Sequence, residues 1–151
     1  IERLHERAFG PGRFARTAFR LREGVPPFAE LCFTARVGTL LVGSIRLSPV
    51  LIGSAVPAVL LGPITIDPAF QNRGIGAAMI KRSMDQARAR GHRLVVLVGD
   101  APYYGRFGFR MVPPGRLTLP GPVDPARLLY AQLVEGAFEG VTGPVRGARA
   151  A

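Results

Sequence analysis

The residues best suited to chemistry are Gln71-Asn72-Arg73-Gly74-Ile75-Gly76-Ala77-Ala78, between an apolar run ending at Ile66 and a long amphipathic stretch. The two glycines let a ligand approach the main chain. The start of the following helix presents unpaired N–H groups at the positive end of its dipole, and Arg73 adds a fixed cation. A phosphate-bearing ligand suits such a turn, although the same composition also serves a plain strand-to-helix connection whose amides meet only water. A mononucleotide loop needs Gly-Lys-Ser/Thr at the helix start, and this chain has Gly76-Ala77-Ala78. A dinucleotide fold gains support from Asp100, which ends a later strand where a ribose-binding acid belongs. It is opposed by Met79 in the third small-residue position, by the long spacer 67–73 before the first glycine, and by the lack of further strand-helix units.

Read as Gln71-x-x-Gly74-x-Gly76, the loop resembles the Q/R-x-x-G-x-G/A acyl-CoA loop of the GNAT superfamily of acetyl-CoA-dependent N-acyltransferases. Two other segments agree with it. Gly62-Pro63-Ile64-Thr65-Ile66-Asp67-Pro68 looks like the family's fourth strand, and Tyr104-Gly105-Arg106-Phe107-Gly108-Phe109 is similar to its Y-x-x-x-G-F segment. The resemblance covers about residues 1–135. It departs from the family at Asp100-Ala101-Pro102, where many members have a longer Asn-led helix, and the family's first strand is expected before Ile1.

The resemblance implies an acetyl-CoA cosubstrate, a primary-amine acceptor and no metal. The fourth and fifth strands splay, and the main chain of Ile64, Thr65 and Ile66 binds the pantetheine arm. The amides of Gln71, Asn72, Arg73, Gly74, Ile75, Gly76 and Ala77 take the diphosphate, and a backbone N–H near Ile66 serves the oxyanion. Tyr104 is the implied catalytic residue: a phenol with a pKa near 10 stays protonated at neutral pH and can protonate a departing thiolate. The amine must lose a proton before attack. Glu30, Asp67 and Asp100 are the carboxylates within reach of the cleft, with Asp67 read first as a turn residue and Asp100 equally as a helix cap. Tyr103 is read as a packing aromatic, His5 and His92 as solvated, and Cys32 as an inert buried thiol.

These groups need elements to hold them. Helical spacing covers Ile1–Phe9 and Arg13–Glu23, and β-rich runs at Leu31–Val37 and Leu40–Leu47 flank Gly38-Thr39 as a hairpin. A loop is expected over Ser48–Pro57, a central strand over Val59–Ile66, and a long helix over Gly74–Arg90. The strand Leu94–Val98 then gives a parallel pair. A short helical turn at Pro102–Arg106 precedes strands at Phe107–Val112 and Leu128–Val134, joined by a proline-rich loop at Pro113–Pro125. The expected fold is α/β, of the layered α+β kind: one domain over 1–135 with a mixed, mainly antiparallel sheet flanked by helices, then a Gly/Ala/Arg-rich tail over 136–151.

With 151 residues and a 48% hydrophobic content the chain can build one core without staples. Its net charge of +10 comes from arginines dispersed along the chain, which argues for a solvated basic surface and steering of an anion over a nucleic-acid patch. The single cysteine excludes an intrachain disulfide and fits a reducing compartment, and no apolar run has membrane-spanning length. The expected location is the cytoplasm, a homodimer is left open, and the rival readings are a non-catalytic acyl-CoA-binding domain and a basic nucleic-acid-binding module.

Overall fold

Alternating apolar residues in the first half of the chain build a long meander. The computed structural model describes residues 21–71 and 73–148. The two expected N-terminal helices lie outside them, except for Leu21 and Arg22, which are helical. A 3-10 turn at Ala29–Leu31 leads into β1 (Phe33–Val37), which turns at Gly38 (φ 61°) into β2 (Leu40–Ile52), and β2 turns again into β3 (Val56–Ile66). Helix α1 (Ile75–Ala89), strand β4 (Leu94–Val98) and the one-turn helix α2 (Ala101–Tyr104) follow. Four short strands finish the described chain: β5 (Arg110–Met111), β6 (Leu117–Thr118), β7 (Leu128–Gln132) and β8 (Gly143–Gly147).

The strand order is β5-β7-β4-β3-β2-β8-β6, with β1 paired to β2 beside this path. The β3–β4 and β6–β8 pairs are parallel and the other pairs antiparallel, so the sheet is mixed and mainly antiparallel, as expected. On one face Ile45, Leu47, Val59, Leu61, Val95 and Leu97 meet Met79, Ile80, Met84 and Ala87 of α1. Complete burial of a side chain such as Ile80 contributes roughly 1.5–3 kcal/mol. On the other face Val50, Ile52, Leu60, Leu94 and Val96 pack with Leu21, Phe138 and Val141.

Several expected boundaries move. The segment Ser48–Pro57, expected as a loop, is mostly strand: Ser48, Val50 and Ile52 alternate inward at 0, 1 and 0% exposure, and the turn is confined to 53–55. Its prolines and small residues mislead because Pro49 and Pro57 both sit at paired positions of the ladder. The expected strand over Phe107–Val112 contracts to β5, since Gly105–Phe107 is a 3-10 turn closed by Gly108 at φ 92°. The proline-rich loop contains β6. The segment set apart as a tail supplies β8, which pairs with β2, and buries Phe138, Val141 and Val145.

Between β2 and β3 the register shifts. Ile45 opposes Ile64 and Leu47 opposes Leu61, so Arg46 faces two residues, Gly62 and Pro63. This β-bulge reverses the side-chain phase of β3: Val59 and Leu61 face α1 before it, and Ile64 and Ile66 face α1 after it. Gly62 adopts φ 125°, a conformation that favours glycine. Pairing with β4 is confined to Val59↔Val95 and Leu60↔Val96, immediately before the bulge, and from Leu61 onward β3 and β4 separate.

The terminal segment is thus part of the core, and one substitution checks it. Phe138 is 3% exposed, stacked on Tyr130 at 4.0 Å and covered by the Arg116 guanidinium at 4.2 Å. Phe138→Ala is expected to lower the unfolding free energy by about 3–5 kcal/mol in urea denaturation. A loosely attached tail would give a loss under about 0.5 kcal/mol.

Candidate active site

The gap between β3 and β4 exposes main chain. The Asp67 N–H donates to Val42 O at 2.8 Å, toward β2. Successive N–H groups of a strand point to opposite edges, so the Thr65 N–H also faces β2, while those of Ile64 and Ile66 face the gap. Thr65 is fully buried, its hydroxyl 2.9 Å from that of Ser44, and this fixes the strand beside the gap.

Beyond Ile66 the chain turns at Asp67, whose carboxylate accepts from the Ala69 N–H at 2.9 Å, and passes through the 3-10 turn Pro68–Phe70. Gly74 caps α1 at φ 79°, and the first intrahelical bond runs from the Ala78 N–H to Gly74 O at 3.0 Å. The N–H groups of Ile75, Gly76 and Ala77 therefore have no intrahelical acceptor and lie at the positive end of the dipole. A cavity of about 640 Å³ runs from this helix start into the gap, lined by Ile64, Ile66, Phe70, Gln71, Gly74–Ala77, Ile80, Tyr103, Tyr104 and Arg106. Arg73 stands over the Phe70 ring at 5.1 Å and Arg106 over the Tyr103 ring at 4.6 Å, so cations flank the open amides. A side chain added at Gly76 would come within 3.3 Å of the Tyr103 hydroxyl and 3.8 Å of Ile66. A Cβ there would press on the Tyr103 hydroxyl by a few tenths of an ångström and would touch Ile66 at ordinary contact distance.

Both tyrosines come from α2, which Asp100 caps by accepting from the Tyr103 N–H at 3.1 Å. Tyr104 packs against Gly99, where an added Cβ would stand 2.5 Å from its ring, and it meets Tyr103 and Phe109 edge to face at 5.0 and 5.9 Å. Burial, reinforced by neighbouring Tyr103 and Asp100 and opposed by Arg127, pushes the Tyr104 phenol up to about 12. It therefore stays protonated across the whole neutral range.

The structure brings together Ile64, Ile66, Gln71, Gly74, Ile75, Gly76, Ala77 and Tyr104 of the expected set. Thr65 faces away from the cavity, Arg73 stands at its edge over Phe70, and Asn72 lies outside the described residues. Tyr103, read as packing, lines the same cavity, as do Phe70 and Arg106. The signal for Tyr103 is its place one residue before Tyr104 on a single helical turn whose other end is fixed by Asp100. The three carboxylates stay outside the cavity lining: Asp67 and Asp100 serve as caps and Glu30 is exposed. His5 lies outside the described residues, and His92, expected to be solvated, is half-buried with its ring 4.7 Å from Phe28. The Cys32 thiol is half-buried and donates to Phe28 O at 3.1 Å. Among the described residues no three His, Cys, Asp or Glu side chains gather as a metal-binding group, and no helix is long and apolar enough to cross a membrane.

The chain is similar to known proteins in sequence and fold. Residues 3–112 match the family described as Acetyltransferase (GNAT) domain. YhbS of Escherichia coli (strain K12), named an N-acetyltransferase, is 27% identical over 146 residues, covering 96% of this chain and 87% of the relative. The crystal structure of E. coli YhbS in complex with CoA superposes with a TM-score of 0.79 at 26% identity, covering 97% of this chain and 82% of that one. A GNAT family acetyltransferase from Brucella melitensis in complex with acetyl-CoA gives 0.58 at 30% identity, covering 92% and 88%.

The chain has three tyrosines, Tyr103, Tyr104 and Tyr130. In a phenolate absorbance titration of the folded protein one of them should ionise only near pH 12, and that step should vanish in Tyr104→Phe. Because the folded pKa is raised, the stability linked to protonated Tyr104 is complete below about pH 10 and is lost as the pH rises through about 12. A Tyr104 step at the ordinary value would contradict its buried placement.

Proposed function

The chain belongs to the GNAT acetyltransferases, the family matched by residues 3–112, and we propose that it transfers an acetyl group from acetyl-CoA to a primary amine by direct attack. The observation that carries this reading is the continuity of one cavity: outward N–H groups of Ile64 and Ile66, the open start of α1, and a protonated tyrosine at its inner end. The CoA and acetyl-CoA complexes of the related proteins support the choice of ligand.

The residues fit that ligand part by part. Ile64 and Ile66 present N–H groups at strand spacing to the amides of the pantetheine arm, and Ile80 and Ile75 give it an apolar floor. Gly74, Ile75, Gly76 and Ala77 offer main-chain N–H groups to the diphosphate, whose charge Arg73 and Arg106 oppose. The thioester supplies an activated acyl carbon. As the amine nitrogen bonds to that carbon, the carbon–sulfur bond breaks, and the Tyr104 hydroxyl gives its proton to the sulfur. The proton shed by the nitrogen passes to water and solvent restores the phenol, giving an N-acetyl amine and free CoA thiol. With the described carboxylates outside the cavity lining, deprotonation of the amine precedes attack, and the free Cys32 thiol suits the cytoplasm, where we place the reaction.

Tyr104→Phe is expected to lower kcat about 10²- to 10⁴-fold while acetyl-CoA affinity stays within about twofold. Tyr103→Phe, whose hydroxyl lies against Gly76, is expected to act mainly on acetyl-CoA affinity. Steady-state kinetics of both variants with one accepted amine checks the assignment. Equal small effects on kcat would remove Tyr104 as the acid, and a large one at Tyr103 alone would transfer the role.

Gly76→Val is expected to abolish the acetyl-CoA-induced rise in Tm, since its side chain meets Tyr103 and Ile66 where the ligand runs. An undiminished rise would remove the loop from the binding site.

A further inference from the structure

Helix α1 has 15 residues and is about 22 Å long, whereas the 13 residues of β2 extend about 40 Å, so the sheet outruns the helix that covers it. In the β3–α1–β4 unit the helix runs back against β3 and ends near the start of that strand. Past this end the α1 side of the β2–β3 hairpin continues. Pro49 and Leu51 follow Ile45 and Leu47 in alternation, and Val59 and Pro57 pair with them. Leu51 is half-buried and belongs to neither buried cluster. A cavity of about 620 Å³ lies on this shelf and shares no described lining residue with the one at the start of α1. Phe28 bounds one side of it, tied to β2 by its N–H, which donates to Leu47 O at 2.9 Å. The turn from α1 into β4, Arg90-Gly91-His92-Arg93, bounds the other. That turn is fixed: Gly91 adopts φ 86°, and the N–H groups of Arg90, Gly91 and His92 donate to Gln86, Arg88 and Ala87 O at 3.0, 3.2 and 3.0 Å. The last carbonyls of the helix are thereby largely occupied. The His92 ring rests 4.7 Å from that of Phe28, and Arg90 and Arg93 are exposed beside it.

Among the described residues the ionisable side chains of this lining are Arg90, His92 and Arg93, all of them basic, and the floor is apolar. A concave apolar floor with a cationic rim fits a ligand that has an apolar body and an anionic head. A second copy of this chain, itself at a net charge of +10, would bring like charge to the rim. We propose that this cavity binds a single-chain fatty carboxylate, with its alkyl chain along Pro49, Leu51 and Pro57 and its carboxylate toward Arg90, His92 and Arg93. The site lies at the opposite end of α1 from the open amides and does not depend on the acyl-transfer reading.

Calorimetric titration of the whole protein with octanoate, decanoate, decanol and decylammonium, without and with saturating CoA, tests this. Decanoate should bind saturably at about one molecule per chain, and octanoate, two methylenes shorter, about tenfold more weakly. Decanol and decylammonium should also bind about tenfold more weakly or worse, as for loss of a charge-assisted hydrogen bond. CoA should leave the decanoate Kd within about twofold. Joint substitution Arg90→Gln and Arg93→Gln should weaken decanoate about tenfold or more, and Leu51→Gln should weaken it too. Joint substitution Lys81→Gln and Arg88→Gln, which removes the same charge from the outer side of α1, should leave it unchanged. In the amide proton–nitrogen NMR spectrum of the wild type, decanoate should shift Leu51, Gly91 and His92 and leave Gly76 unmoved, which locates the site even where a variant lowers the Tm. Absence of saturable binding overturns the proposal, as do decanol binding as tight as that of decanoate, equal losses in the two double variants, displacement by CoA, or amide shifts centred on Ile66 and Gly76.

Discussion

Two residue pairs hold β3 to β4, and the site follows from where that pairing stops. The bulge at Gly62–Pro63 inserts a residue opposite Arg46, reverses the side-chain phase of β3 and coincides with its departure from β4. Continued in its earlier phase, β3 would have turned the Ile64 and Ile66 amides toward β2 and their side chains away from α1. Instead the strand keeps its bonds to β2, presents its free edge to a gap, and turns two isoleucines onto the face that α1 covers. One local irregularity therefore produces donors, apolar floor and opening together.

The surrounding elements brace that opening. At the α1 start Gly76 lies close to Ile66 of β3 and Tyr103 of α2, and the open amides there continue the line of donors that β3 begins. On the far side α2 is a single turn, too short to stand alone, so the Asp100 cap and the packing of Tyr104 on Gly99 fix its geometry. That packing also buries the phenol enough to raise its pKa to about 12. Position and protonation state thus have a common cause.

Much of this was legible in the sequence wherever a single local pattern sufficed. The Gly74-x-Gly76 turn before a long amphipathic helix, the apolar run of β3, and Tyr104 within its aromatic segment all carry short-range signals, and residues of each line one cavity. What depended on long-range partners was hidden. Prolines at 49 and 57 looked like loop, yet both lie in the β2–β3 ladder. The Gly- and Arg-rich end looked detached, but β8 needs β2, over ninety residues earlier, to become a strand. Tyr103 resembled a packing aromatic because only the fold brings its hydroxyl to Gly76.

The central claim is that the freed edge of β3 is the seat of acetyl-CoA, and residue-resolved amide hydrogen exchange tests it directly. In the free protein the Ile64 and Ile66 amides should exchange faster than that of Thr65, which faces β2. Saturating acetyl-CoA should slow Ile64 and Ile66 by at least about tenfold, the equivalent of about 1.4 kcal/mol, and leave Thr65 little changed. Ile64 and Ile66 amides that exchange as fast with acetyl-CoA as without it, or that are as protected as Thr65 before it is added, would contradict the account.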